Sequence, residues 1–407
     1  MSILIDKSTY HLTAAQAAAE LRVTPATLYA YVSRGLLHSE PVAGRSRERR
    51  YAREDVARLK ARQEARRDPA RAAAPGLHWG GPVLESAITL IHDGALYYRG
   101  RDAIALANTE TAEGAAALLW NAPAIERARI FDQPCPLSPR RIAQLRACAG
   151  EPFALLQAAL PVAAVTDLAS FDLRPAAVRH TGGRIIRLFA TLLLGRPSHE
   201  PLHRCLQQAW APNRRAVGEV IRTALVLCAD HELNVSTFTA RCAASAGASP
   251  YDVVTAAMAT LKGYKHGGGA SHVIALAAEA RTPATARAAI AQRLRRGEQI
   301  PGFGHPLYPR GDPRATSLLR LAAASGNEAA WRPYRLLTRA GTDVLGDAPN
   351  LDCGLAAITA AYRLPAEAPL ILFAAGRTLG WIAHAIEEYA SGKLIRPRAR
   401  YVGPPPL

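Results

Sequence analysis

PGFGHPLYPRGDPRA, residues 301–315, sets a histidine between a glycine and a proline where neither helix nor strand can continue. Gly302 and Gly304 flank Phe303, and Pro306, Pro309, Gly311 and Pro313 remove hydrogen-bond donors and periodicity together. Such a stretch has no repeating hydrogen-bond pattern of its own, so specific contacts must hold it. His305 and Arg314 are therefore candidates for a fixed site. A second histidine, His266, lies in a similar setting in LKGYKHGGGASHV, residues 261–273.

Further polar islands interrupt the chain. ADHELNVSTFTAR, residues 229–241, carries His231, and PNLDCGLAAI, residues 349–358, carries Asp352 just before a helical run. FAAGRTLGWIAHAIEEYASGKLIRPRARYVGP near the C-terminus carries Arg377 and Arg396. Around them, segments rich in alanine and leucine (103–120, 153–169, 178–195, 215–230, 251–262, 272–295) repeat with helical spacing between short Pro/Gly breaks. Strand-like alternation is confined to the short piece ALYYRG. Taken alone, each island reads more readily as structural, a packed and hydrogen-bonded core histidine, than as catalytic; their meaning lies in their combination.

Composition narrows the classes. With 407 residues, 49% of them hydrophobic and 20% charged, the chain has the make-up of a globular protein of two or three domains. No uninterrupted apolar run reaches the ~18 residues of a membrane span, and MSILIDKSTYHLT has no signal-peptide pattern, so no membrane association and a cytoplasmic location are expected. Six cysteines lie far apart without a CxxC pair, which suits reduced thiols better than a disulfide framework or a zinc site. HEPLH, residues 199–203, satisfies the H-E-x-x-H zinc pattern. Pro201, however, disfavours the single helix that must carry both histidines, so no metal is expected there.

The first 67 residues read as a separate unit. Thr13 can cap a helix over AAQAAAEL, and Thr24-Pro25 opens a second over ATLYAYVSR, which Gly35 stops. A polar hairpin, HSEPVAGRSRERRY, and a third, basic helix opening on Glu54-Asp55 follow. Residues 1–71 hold a net +6 of the chain's +17, a higher charge density than elsewhere. The segment resembles the winged helix-turn-helix of MerR-type and excisionase-type regulators. In such a module Thr24, Thr27 and Tyr29 face a DNA groove while Arg45, Arg47, Arg49 and Arg50 contact phosphates from the wing. The alternative is an adaptor that does not bind DNA. Residues 68–82, DPARAAAPGLHWGGP, read as a linker.

From about residue 83 to residue 403, the combined islands resemble citrate synthase and 2-methylcitrate synthase. The similarity runs through ESAITLIHDGALYYRG, DHELNVSTFTAR, the KGxxHGG loop, GFGHPLYPRGDPRA, PNLD, GRTLGWIAH and RPRARYVGP. It implies an all-α fold with a large domain (83–262 and 356–407), a small inserted domain (263–355), and a homodimer with shared active sites. It also implies a catalytic set of His266, His305 and Asp352, and oxaloacetate ligands His231, Arg314, Arg377 and Arg396, the last from the partner subunit. CoA contacts fall on Lys262, Gly267, Gly268, Gly302, Gly304 and Arg310. No tightly bound cofactor is implied, since acetyl-CoA or propionyl-CoA is a cosubstrate.

The chain departs from the family pattern in places that border the implied CoA site. It reads HGGGASHV where HGGAN is usual, and Tyr264-Lys265 stand where Pro-Leu is usual. Pro306 and Pro309 replace residues that are often small or basic, leaving Arg310 as the nearest cation. Two readings follow: an active synthase with a DNA-binding N-terminal module, or a transcriptional regulator whose synthase domain senses acyl-CoA or oxaloacetate. Retention of all three catalytic matches favours the enzyme.

Overall fold

The computed structural model describes residues 11–42, 45–53, 55–56, 59–60, 84–399 and 401–404. It divides into two compact units, 1–85 with 396–407, and 86–395.

In the first unit, Thr13 closes a capping box with Gln16 at the start of the helix Ala14–Leu21. Thr24 caps the helix Pro25–Ser33, with Pro25 in its first turn. The strands Ser39–Val42 and Arg45–Ala52 form the expected hairpin, and the short strand His11–Thr13 pairs with the latter to complete an antiparallel sheet. Leu12, Leu21, Leu28, Leu37, Tyr51 and Val56 share one buried cluster. Arg53, Asp55, Val56, Leu59 and Lys60 are helical where the third helix was expected, and its remaining residues and the linker 68–82 lie outside the described residues.

The second unit begins with a small antiparallel sheet, Thr89–His92, Ala95–Tyr98 and Arg101–Asp102, and continues almost wholly in helices. Only the middle strand is legible in the sequence; Arg101–Asp102 is too short to show alternation. Its core runs through Trp120, Phe189, Leu225, Met258 and Trp381. The final helix, Ala368–Ser391, is apolar and long enough to cross a membrane by length alone, yet 94% of its apolar window is buried inside the fold.

That helix sets the geometry of the site. Gly380 donates its N–H to the Ala229 carbonyl at 3.0 Å, and a Cβ there would lie 2.3 Å from Asp230 Oδ1. Glycine thus lets the helix rest directly on the turn that carries Asp230 and His231.

Candidate active site

The aperiodic stretch 301–315 is held by two side chains. Asn350 donates its amide to the Gly304 carbonyl (3.2 Å), and its N–H to the Gly302 carbonyl (2.9 Å). Its Oδ1 also accepts from the Asp352 N–H at 3.1 Å, capping the helix Leu351–Ala361. Asp312 caps the helix Pro313–Ala323, accepts from Arg314 Nε (3.0 Å) and Nη2 (2.8 Å), and accepts from the Leu351 N–H (3.2 Å). Together these two residues lock His305, Arg314 and Asp352 into one arrangement. Asp312 and Arg314 are both buried, and each needs the other: burial alone would raise the carboxyl and weaken the cation, but their mutual charge reverses both shifts.

Three imidazoles gather beside this frame. His305 Nδ1 accepts from the Leu307 N–H at 3.2 Å, so its neutral ring carries the proton on Nε2. The His305 and His231 rings meet edge to face with centroids 5.0 Å apart. His266 Nε2 lies 2.8 Å from Ser236 Oγ, which is also 2.8 Å from Asn234 Oδ1 and receives the Trp381 indole N–H at 3.3 Å. Ser236 has one proton and two acceptors for it, since it donates to Asn234 Oδ1 as the structure stands; the imidazole proton sits on Nδ1 when the hydroxyl turns to His266 Nε2 instead. Burial, then the charge of Arg377, pushes His266 down to about 4, and burial with Arg314 does the same to His305. Burial and the cations of Arg314 and Arg377 hold His231 well below its ordinary value. All three are therefore neutral donors and acceptors near pH 7.

Arg377 is 1% exposed, and its Nε donates to the Cys228 carbonyl at 2.8 Å. Its Nη1 is buried with no protein partner, and desolvation lowers its basicity. A buried guanidinium with an unused N–H is what an anionic ligand's oxygen would satisfy. Glu387 and Glu388 do not pair with it; both bind Arg241, at 3.1 and 2.7 Å. Phe373 lies between the two halves of the site, its ring 5.7 Å from that of His266 and 4.8 Å from the Arg377 guanidinium. Asp352 completes the cluster: burial raises its carboxyl to about 6, against the opposing pull of Arg314. The site therefore joins a carboxyl group poised near neutrality, neutral imidazoles and buried guanidinium groups.

The remaining predicted residues fall in several places. Gly267 and Gly268 form the turn after the helix Pro250–Leu261, whose C-cap is the exposed Lys262. Gly302 and Gly304 adopt positive φ of 85° and 72°. Arg310 is exposed and donates to the Asp93 carbonyl at 3.1 Å. Arg396 is exposed and falls in the segment grouped with the N-terminal unit. There, the Thr24 and Thr27 hydroxyls bond each other at 2.9 Å, Tyr29 is exposed, and Arg49 donates to the Ser39 carbonyl across the hairpin. Arg50 is exposed, while the side chains of Arg45 and Arg47 lie outside the described residues.

Sequence reasoning did not single out Asp230, Ser236, Tyr308, Asp312 or Asn350, although all five stand inside the quoted motifs. In HEPLH, Pro201 precedes the helix Leu202–Trp210, so His199 and His203 do not share a helix. Among the described residues no cluster of three or more His, Cys, Asp or Glu is placed to hold a metal ion.

A mostly helical body bearing an acid–base and anion-binding cluster drawn from distant segments defines the class. Residues 76–398 match the family model described as citrate synthase, C-terminal domain, and residues 12–64 match a helix-turn-helix domain. The chain belongs to the citrate synthase family. It is 38% identical over 192 residues to citrate synthase 2 of Bacillus subtilis, covering 46% of this chain and 51% of that one. It is 35% identical over 196 residues to the 2-methylcitrate synthase of Shewanella oneidensis, again covering 46% and 51%. The chain thus spans about half the length of the curated relatives it matches. Among solved structures, it is similar to citrate synthase from Thermotoga maritima (TM-score 0.64, 26% identity, 81% of this chain and 95% of that one). It is also similar to the Thermoplasma acidophilum citrate synthase in ternary complex with carboxymethyl coenzyme A and oxaloacetate (TM-score 0.70, 25% identity, 82% and 97%). The all-α citrate synthase fold and the helix-turn-helix at the N-terminus stand as expected.

Proposed function

We propose that the protein condenses acetyl-CoA or propionyl-CoA with oxaloacetate and hydrolyses the resulting thioester, releasing citrate or 2-methylcitrate and free CoA. The observation that carries this reading is the shared setting of Asp352, His305 and Arg314, locked together by Asn350 and Asp312. Asp352 takes a proton from the carbon next to the thioester. With the Ser236 hydroxyl turned to His266 Nε2, His266 carries its proton on Nδ1, donates it in a hydrogen bond to the thioester oxygen and stabilises the enol as its charge develops. That carbon attacks the ketone of oxaloacetate, whose oxygen receives the His305 Nε2 proton. Water then cleaves the thioester, which makes the sequence irreversible.

The orphaned Nη1 of Arg377 suits one carboxylate of oxaloacetate, with Arg314 and His231 beside it. Arg396 is assigned to the partner subunit's site in a homodimer. Residues 263–355 are assigned to a small domain that borders the CoA, with Lys262, Gly267, Gly268, Gly302, Gly304 and Arg310 as its contacts. CoA acts as a cosubstrate, and no tightly bound cofactor enters the reaction. The test is release of free thiol from acetyl-CoA and propionyl-CoA, run in parallel with oxaloacetate. Asp352→Asn is expected to cut the rate by orders of magnitude while oxaloacetate still binds; wild-type turnover no higher than that of the variant would sink the reading.

The helix-turn-helix match and the basic hairpin support a second activity, DNA binding by the N-terminal unit. A salt-sensitive mobility shift on the protein's own promoter region tests it. Binding that survives replacement of Arg45, Arg47, Arg49 and Arg50 by alanine excludes contact through the wing. If DNA binds and oxaloacetate or acyl-CoA alters that binding without thiol release, the protein is a regulator that senses these ligands.

A further inference from the structure

Tyr308 sits in the LYPR segment between His305 and Arg314, where proline stands in place of the usual cations. It is 2% exposed, and its N–H donates to the His305 carbonyl at 2.9 Å. Its hydroxyl lies 3.0 Å from His231 Nε2. Its ring centroid is 5.1 Å from that of His305 and 5.5 Å from that of His231, and the Arg314 guanidinium stands 5.4 Å from it. One phenol therefore touches three of the five residues assigned to the oxo-acid half of the site, and its hydroxyl bonds only one of them.

We propose that Tyr308 is a positioning residue that acts through His231, holding Nε2 and so fixing how the ring faces the bound 2-oxo dicarboxylate. A neutral His231 has one N–H and Tyr308 has one O–H, and the 3.0 Å contact uses one of the two. With the ring proton on Nδ1, the phenol donates to Nε2 and pins the ring. With it on Nε2, the ring donates to the phenol oxygen, and the O–H turns to the ligand. In both arrangements the pair behaves as one group. Removing the hydroxyl leaves a buried ring nitrogen without its partner and the ring free to turn. His305 is not bonded by this hydroxyl, so its proton delivery does not depend on it directly.

This inference rests on the proposed function, and its test separates the two. Oxaloacetate binding is measured by calorimetry on the full-length protein, alongside thiol release, for wild type, Tyr308→Phe, His231→Asn and the double variant. Tyr308→Phe is expected to weaken oxaloacetate binding and raise its KM about tenfold, with kcat and the acyl-CoA KM changed by less than about threefold. In the His231→Asn background the same change should have no further effect, because the partner is already gone. The 15N shifts of the His231 ring should differ between wild type and Tyr308→Phe. Unaltered oxaloacetate binding in Tyr308→Phe, or an effect that adds fully to His231→Asn, overturns the inference alone. Wild type that binds no oxaloacetate overturns the proposed function and the inference with it. Wild type that binds oxaloacetate without turning over acyl-CoA overturns the proposed function, and the binding series then decides the inference.

Discussion

Gly269 leaves the space that Asp352 fills: a Cβ at residue 269 would lie 2.2 Å from Asp352 Oδ2. The helix Gly269–Glu279 thereby begins against the carboxylate assigned as the base. This is the position where the usual HGGAN pattern has alanine. Gly269→Ala should therefore turn the carboxylate aside rather than unfold the chain, because a carboxyl group rotates more easily than a backbone moves. Thiol release should fall about tenfold or more, as expected when a reacting group is displaced by about 1 Å. The thermal midpoint should change little.

Asp352 also sets a conflict between stability and activity. Its folded-state pKa, about 6, lies above the ordinary carboxyl value, so its ionisation costs stability as pH rises through that interval. Asp352→Asn should thus raise the unfolding free energy at pH 8 by up to about 3 kcal/mol, and by nothing near pH 3. Denaturant melts at the two pH values check this. In wild type, thiol release should fall below about pH 6 as the base takes up a proton.

The three buried imidazoles act in the opposite direction. Their folded pKa values lie below the unfolded value of about 6.5, so the unfolded chain binds protons first as pH falls. Stability present above pH 6.5 should be lost between about pH 6.5 and pH 4. Replacing His266 by asparagine should flatten this part of the stability curve, measured by urea unfolding at half-unit pH steps.

Asp312 joins two segments, its own helix through the cap and Arg314, and the next through the Leu351 N–H. Asp312→Ala leaves a buried guanidinium without its counter-charge and should destabilise the fold by about 3–5 kcal/mol. Chemical denaturation measures this. The loss should be much larger than for Asp172→Ala, whose ion pair with Arg174 lies at the surface.

Arg377→Lys keeps the charge but loses the fork that lets Nε hold the Cys228 carbonyl while Nη1 meets a ligand. The oxaloacetate KM should rise by about a hundredfold, equivalent to one lost charge-assisted hydrogen bond, while the acyl-CoA KM stays close to wild type. Steady-state kinetics with each substrate varied in turn decide it.

Much of the architecture is written locally. Thr13 and Thr24 cap their helices as their positions require, and the Pro/Gly breaks fall between the helices they separate. The motifs around His231, His266, His305 and Asp352 mark the polar islands in an apolar helical background. The outer strand Arg101–Asp102 of the small sheet is a mere two residues, too short for any period.

The sequence by itself determined which residue types stand in the loops, why 301–315 needed outside support, and which helices form around it. Only the tertiary structure decided what supplies that support and how the groups are tuned. Asp312 reaches Leu351 across 39 residues, Tyr308 reaches His231 across 77, and Arg377 reaches Cys228 across 149. Neutral histidines and a carboxylate poised near pH 6 follow from burial and from charges brought near by packing. Both depend on elements far apart in the chain, so no local pattern encodes them.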